Sequence, residues 1–124
     1  MLGASIMATH KDLDVWKESI TLVTEIYSLT ANYPDSERFG LISQMRRAAV
    51  SVPSNIAEGA ARGTNKEYIH FLNISLGSLS ELETQILISQ NLEYISSVEI
   101  LKDLELIRAK LYKFRNYLKS KVKA

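Results

Sequence analysis

The stretch from Phe39 to Arg62, FGLISQMRRAAVSVPSNIAEGAAR, is spaced like a helix yet carries a proline near its middle and almost no ordinary surface residues. At about 3.6 residues per turn, Leu41, Met45, Ala48, Val52 and Ile56 form one apolar stripe. Gln44, Arg47, Ser51, Asn55, Glu58 and Arg62 form a second, polar stripe. The remaining sector, Ala49, Val50, Pro53, Ala57 and Ala60, is apolar and mostly small where water would favour Lys and Glu. Such a helix is expected to have neighbours on nearly every side. Pro53 removes a backbone hydrogen bond and crowds the Ala49 carbonyl, a penalty of ~3 kcal/mol in a plain helix interior. Both stripes keep their phase from Ala48 through Glu58, so a kink rather than a break is expected.

Three more helices are legible. The first should run from about Leu13 to Ala31, with Asp12 as N-cap and Trp16, Ile20, Val23, Tyr27 and Thr30 as its main stripe, beside a second stripe of Leu22, Ile26 and Leu29. Pro34 ends it, and the loop up to Gly40 has room for a short helical turn. Gly63 sits where a left-handed residue would end the second helix, and Thr64-Asn65-Lys66-Glu67 reads as a capping box opening the third. That third helix carries Tyr68, Leu72, Ser75, Leu79, Leu82 and Ile86 and runs to about Gln90. A second capping box, Ser96-Ser97-Val98-Glu99, opens a fourth with the stripe Ile100, Leu104, Ile107, Leu111, Phe114 and Leu118. Nothing alternates with the two-residue period of a strand. Short links between amphipathic helices predict an all-α, antiparallel up-down-up-down four-helix bundle over residues 12–122, with residues 1–11 as a disordered or extended N-terminal extension.

Without Cys the chain has neither a disulfide framework nor a zinc ribbon, and no apolar run approaches the ~20 residues a membrane span needs. Residues 1–10 lack the basic start and long apolar centre of a signal peptide, and Met7 is a candidate initiator. A cytoplasmic location is expected. The net charge of +1 hides a lopsided distribution: 7 basic residues and no acid from Leu106 onward, against 8 basic and 14 acidic before it. Cations at a helix end complement its dipole, but that effect fades within a turn, so the run also marks a candidate polyanion surface. Its candidate contacts are Arg108, Lys110, Lys113, Arg115, Lys119 and Lys121, aided by Arg46 and Arg62. Tyr112 and Tyr117 fall off the core stripe among these cations, compatible with single-strand stacking or with a subunit contact.

Catalysis has one foothold. Glu67-Tyr68-Ile69-His70 has the Glu-x-x-His spacing of dinuclear metal bundles, but a second such motif is missing, His10 being the only other histidine, and Glu67 is already explained by the capping box. Neither a nucleophile elbow nor a phosphate loop is present, so neither an enzyme activity nor a cofactor or metal is expected. The polar stripe of the second helix reads as an internal network of Arg47, Ser51, Asn55 and Glu58 with Ser78 and Glu81 or Glu83, Arg47 being one half of a buried ion pair. A ligand-facing groove is the alternative. Ser75, Gly77 and Ser78 opposite Ala48, Ala49 and Ser51 would let the second and third helices approach closely, with Gly59 and Gly77 as packing residues. Trp16, Tyr27, Tyr68, Phe71 and Phe114 read as core.

Four ordered blocks, Lys11-Asp12-Leu13-Asp14-Val15-Trp16, Gln44-Met45-Arg46-Arg47-Ala48-Ala49, Ser51-Val52-Pro53-Ser54-Asn55-Ile56-Ala57-Glu58-Gly59 and Gly77-Ser78-Leu79-Ser80-Glu81-Leu82-Glu83-Thr84-Gln85, resemble the bacterial four-helix-bundle family encoded by intervening sequences of 23S ribosomal RNA genes. That family is related in fold to the accessory protein of diversity-generating retroelements. The resemblance covers nearly the whole chain from Lys11 onward. It implies a ring-forming homo-oligomer, a pentamer, that binds RNA or DNA. A non-enzymatic nucleic-acid-binding protein of low sequence specificity is the resulting expectation, and a ring-shaped adaptor that binds only protein is the alternative.

Overall fold

The computed structural model describes His10 and residues 13–122. Four α-helices make up the described chain: α1 Asp14–Thr30, α2 Ser43–Ala61, α3 Asn65–Asn91 and α4 Ile100–Lys121. Between α1 and α2 the chain forms a 3-10 turn over Asp35–Glu37 and a wide turn over Arg38–Ile42 that departs from helical geometry at Gly40. The Glu37 carboxylate steadies this corner, accepting from the Leu41 N–H at 3.2 Å and from the Tyr94 hydroxyl at 2.8 Å. That bond to Glu37 also raises the Tyr94 pKa.

Sequential helices pack antiparallel. The start of α2 meets the end of α1 through Arg46, whose Nε donates to Thr30 Oγ1 at 2.9 Å. Along the α2–α3 seam, Gly59 faces Tyr68, the Ser75 hydroxyl donates to the Val52 carbonyl at 2.8 Å, and Ser89 reaches Met45. Glu83 pairs with Arg108 and Asn73 with Arg115 between α3 and α4, and Glu18 pairs with Lys110 between α1 and α4. Up-down-up-down connectivity follows. Leu22, Ile26, Met45, Ile56, Leu72, Leu79, Leu82, Ile86, Leu104 and Leu111 fill the centre, each large side chain contributing about 1.5–3 kcal/mol by leaving water.

Local signals operate where the sequence places them at the α2–α3 link. Gly63 has φ +93°, and Thr64 Oγ1 accepts from the Glu67 N–H at 3.1 Å. α2 runs unbroken through a buried Pro53. The second expected capping box does not form: α4 begins at Ile100 behind Glu99 with no side-chain cap, the Glu99 carboxylate pairs with Lys102, and Ser97 Oγ accepts from the Glu99 N–H at 3.2 Å ahead of the helix. Val98 packs on the core there, which sets where the helix can start. The proposed Asp12 cap and residues 1–9 of the N-terminal extension lie outside the described residues.

Three expectations are corrected. In α1 the core line is Val15, Ser19, Leu22, Ile26 and Thr30, whereas Ile20 and Tyr27 of the expected main stripe are exposed. The stripe read as secondary therefore faces the core, and Tyr27 instead carries the Arg46 guanidinium over its ring at 4.4 Å. In α2, Ala49 and Pro53 are buried within the chain itself and only Val50 of that sector is exposed, so one bundle covers most of what looked like an unsatisfied face. Gly77 is exposed with nothing within 4 Å of where a Cβ would stand, so it is no packing residue, whereas at Gly59 a Cβ would lie 2.8 Å from the Tyr68 ring.

Candidate nucleic-acid interface

α4 presents Leu104, Ile107, Leu111 and Leu118 to the core, which fixes where its cations point. Arg108 turns toward α3. Its guanidinium, only 17% exposed, donates to Glu83 at 2.8 Å and also contacts Glu105, so it is committed to the fold. Lys110 turns toward α1 and pairs with Glu18 at 2.6 Å. Arg115 donates to Oδ1 of Asn73 at 3.1 Å and of Asn116 at 3.3 Å, and its guanidinium carbon lies 4.8 Å from the Tyr112 ring centre. Lys113, Lys119 and Lys121 are exposed and form no ion pair among the described residues. The Lys121 ammonium lies 5.2 Å from the Tyr117 ring centre.

The two helpers do not join this face. Arg62 pairs with Glu58 at 2.9 Å and lies over the Phe71 ring, and Arg46 is held by Thr30 and Tyr27. Of the eight candidate cations, Lys113, Lys119 and Lys121 are left exposed and without an ion pair among the described residues on the C-terminal half of α4, Lys113 on its outer line and Lys119 and Lys121 on opposite flanks, about 160° apart. Glu18, Glu83 and Asn73, which hold Lys110, Arg108 and Arg115, lie on other helices and give no local signal, whereas Glu58 and Glu105 stand one turn before Arg62 and Arg108 and their pairing is visible in the spacing.

Charge is also sorted along the bundle. The end where α1 and α3 finish and α4 begins carries Glu25, Asp35, Glu37, Glu93, Glu99 and Asp103 against Arg38, Arg46, Arg47 and Lys102, and the opposite end carries Lys17, Arg62, Lys66, Lys113, Arg115, Lys119 and Lys121 against Asp14, Glu18, Glu58 and Glu67, so each end has only a modest excess of one sign. At the acidic end an open groove of about 510 Å³ separates α1 from α4, lined by Thr21, Thr24, Glu25, Ser28, Ser97 and Ile100 among others. Burial and then the neighbouring Asp103 carboxylate raise the Glu25 pKa above 4.5.

The sequence matches the model of the 23S rRNA-intervening sequence protein family over residues 11–113. The chain belongs to that family. A comparison with curated proteins returns no match. The matched span holds the four sequence blocks and ends at Lys113. Arg115, Tyr117, Lys119 and Lys121 lie beyond it, so their chemistry is argued from this chain alone.

The polar stripe of α2 is only partly internal in this family member. Asn55 donates to the Ser51 carbonyl at 2.8 Å and to its hydroxyl at 2.9 Å, and the Ser78 hydroxyl donates to Ser51 Oγ at 2.8 Å. Arg47 is exposed and makes no ion pair among the described residues, Glu58 belongs to Arg62, and Glu81 is exposed beside Gln85. The expected Arg47 ion pair is corrected accordingly: of Arg46 and Arg47 it is Arg46 that is half-buried, and it bonds Thr30 and Tyr27 of α1 rather than an acid. Glu67 and His70 are both exposed, with the His70 ring against Phe71. Among the described residues no group of three His, Cys, Asp or Glu gathers as a metal cage, and no helix is long and apolar enough to cross a membrane.

Proposed function

We propose that this protein is a non-enzymatic, self-associating four-helix bundle of the cytoplasm that holds nucleic acid through phosphate contacts on the outer C-terminal half of α4. One observation carries the reading: Lys113, Lys119 and Lys121 stand exposed without an acidic partner among the described residues, on a segment with no acid after Glu105. Arg108 and Lys110 are neutralised by Glu83, Glu105 and Glu18, and Arg115 keeps its charge but is tied to the amides of Asn73 and Asn116, which leaves those three as the freely exposed cations of the segment. Lysines act on phosphate as point charges, so affinity is salt-dependent and weakly sequence-selective. Assembly into a ring, five subunits by family resemblance, repeats the patch and multiplies its effect.

Filter binding at two salt concentrations tests this. Changing Lys113, Lys119 and Lys121 to Gln should weaken binding of every sequence and flatten the slope of log affinity against log salt by about 0.7–0.9 for each phosphate no longer neutralised. Absence of wild-type binding at low salt would favour the protein-adaptor reading, for which Ile20, Tyr27 and Val50 offer exposed apolar contacts.

A further inference from the structure

We infer that the nucleic acid taken by this face is single-stranded, with bases stacking on Tyr112 and Tyr117 and phosphates lying along Lys113, Lys119 and Lys121; this rests on the phosphate-binding reading above and adds the class of ligand. Tyr112 and Tyr117 are 43% and 57% exposed. Tyr68 and Phe114, by contrast, pack edge to face with ring centres 5.1 Å apart. With a helix turning about 100° per residue, the two tyrosines stand about 140° apart around α4, one on each flank of its outer surface, with Lys113 and Asn116 on the line between them and an offset of about 7.5 Å along the axis, so a strand using both must cross that outer surface.

Both rings are braced before any ligand arrives. Arg115 lies against Tyr112, and the same guanidinium is tied to Asn73 on α3, so the ring cannot swing away without breaking an arrangement that spans two helices. Lys121 lies near the Tyr117 ring, with its ammonium 5.2 Å from the ring centre but without a tie to a second helix among the described residues, so Tyr117 is the less firmly held of the two. A base settling on the exposed side of either ring gains stacking, a cation behind the ring adds to it, and little conformational freedom is given up.

A duplex cannot use these platforms, because its base faces are already stacked on one another and a convex helix surface reaches only phosphates and groove edges. A single strand offers base faces and phosphates together, and the face supplies a partner for each. Contact with the same surface of a second copy is opposed by charge, since the segment holds lysines and no acid to meet them.

The test uses the full chain, a fluorescein-labelled oligodeoxythymidylate of about a dozen nucleotides, and a duplex of equal length, with anisotropy as readout. Wild type should bind the single strand more tightly than the duplex. The variants Tyr112→Leu and Tyr117→Leu should each lose about 10-fold or more in single-strand affinity, leave duplex affinity within about 2-fold, and keep the helical circular dichroism of wild type. Tyr112→Phe and Tyr117→Phe, which keep the ring, should restore single-strand binding. Leucine variants that bind the single strand as wild type does would overturn the stacking inference while leaving the phosphate reading intact, provided that the Lys-to-Gln variant still loses affinity. A change in solution mass on replacing the tyrosines would assign them to a subunit contact and overturn it too. No binding of either probe at low salt would overturn the phosphate reading itself, and this inference with it.

Discussion

Arg46, Arg47 and Arg108 show how little a residue type says without its partner. Arg46 is held by Thr30, Tyr27 and an aromatic face, Arg108 by Glu83 and Glu105, and Arg47 by nothing among the described residues. Arg108→Ala would leave the half-buried Glu83 uncompensated and should cost about 1–3 kcal/mol, less than a fully buried pair because water still reaches both groups. Arg47→Ala should cost less than about 0.5 kcal/mol. Urea melts of the two variants check the order; equal losses would mean that Arg108 is not committed to the fold. The glycines divide in the same way. Gly59→Ala drives a methyl into the Tyr68 ring and the Phe71 Cβ and should destabilise by about 1–3 kcal/mol. Gly77→Ala enters open space on an exposed helix and should stabilise by about 0.5–1 kcal/mol. Thermal melting should move in opposite directions for the two.

At the scale of elements, much of the fold was legible in sequence because the signals are local. Gly63 needs its left-handed backbone, Thr64 caps its own helix, and Leu72, Leu79 and Leu82 of α3 and Leu104 and Leu111 of α4 each fall on one stripe of three- and four-residue steps that is buried. α1 was ambiguous for the complementary reason. It carries two apolar stripes, and only the crossing with α2 decides that Leu22 and Ile26 go in while Ile20 and Tyr27 stay out. The candidate interface was half legible: the acid-free run is visible in the chain, but which of its cations are already neutralised depends on Glu18, 92 positions from Lys110, and on Glu83, 25 positions from Arg108.

The α1–α4 seam supplies a pH prediction. Glu25 has a raised pKa in the folded chain, so the native state binds its proton more tightly than the unfolded chain does. Its contribution to stability is therefore full below the ordinary carboxylate range and declines as pH rises through the raised value. Glu25→Gln removes the repulsion with Asp103 and should raise the melting temperature at neutral pH while flattening its fall between mildly acid and neutral conditions. Parallel pH profiles for variant and wild type would show that neither burial nor Asp103 raises the Glu25 pKa.

For the whole molecule, the exposed Ile20, Tyr27, Val50, Leu87 and Ile88 are apolar area that the bundle leaves uncovered. Self-association through such surfaces should persist at high salt, so light scattering at micromolar concentration is expected to return a multiple of the 14.0 kDa chain in both low and high salt. A monomer in both would refute assembly, and a multimer that dissolves on adding salt would point to end-to-end attraction between unlike charges instead.

The excess of acids at one end and of cations at the other gives the bundle a modest electric dipole along its own long axis. A polyanion approaching from a distance of about a Debye length feels a torque before it feels a contact, so the protein is rotated to lead with its α4 terminus. In a ring whose subunits share an orientation these dipoles add in parallel, giving the assembly two unlike rims and admitting a charged strand from one side only.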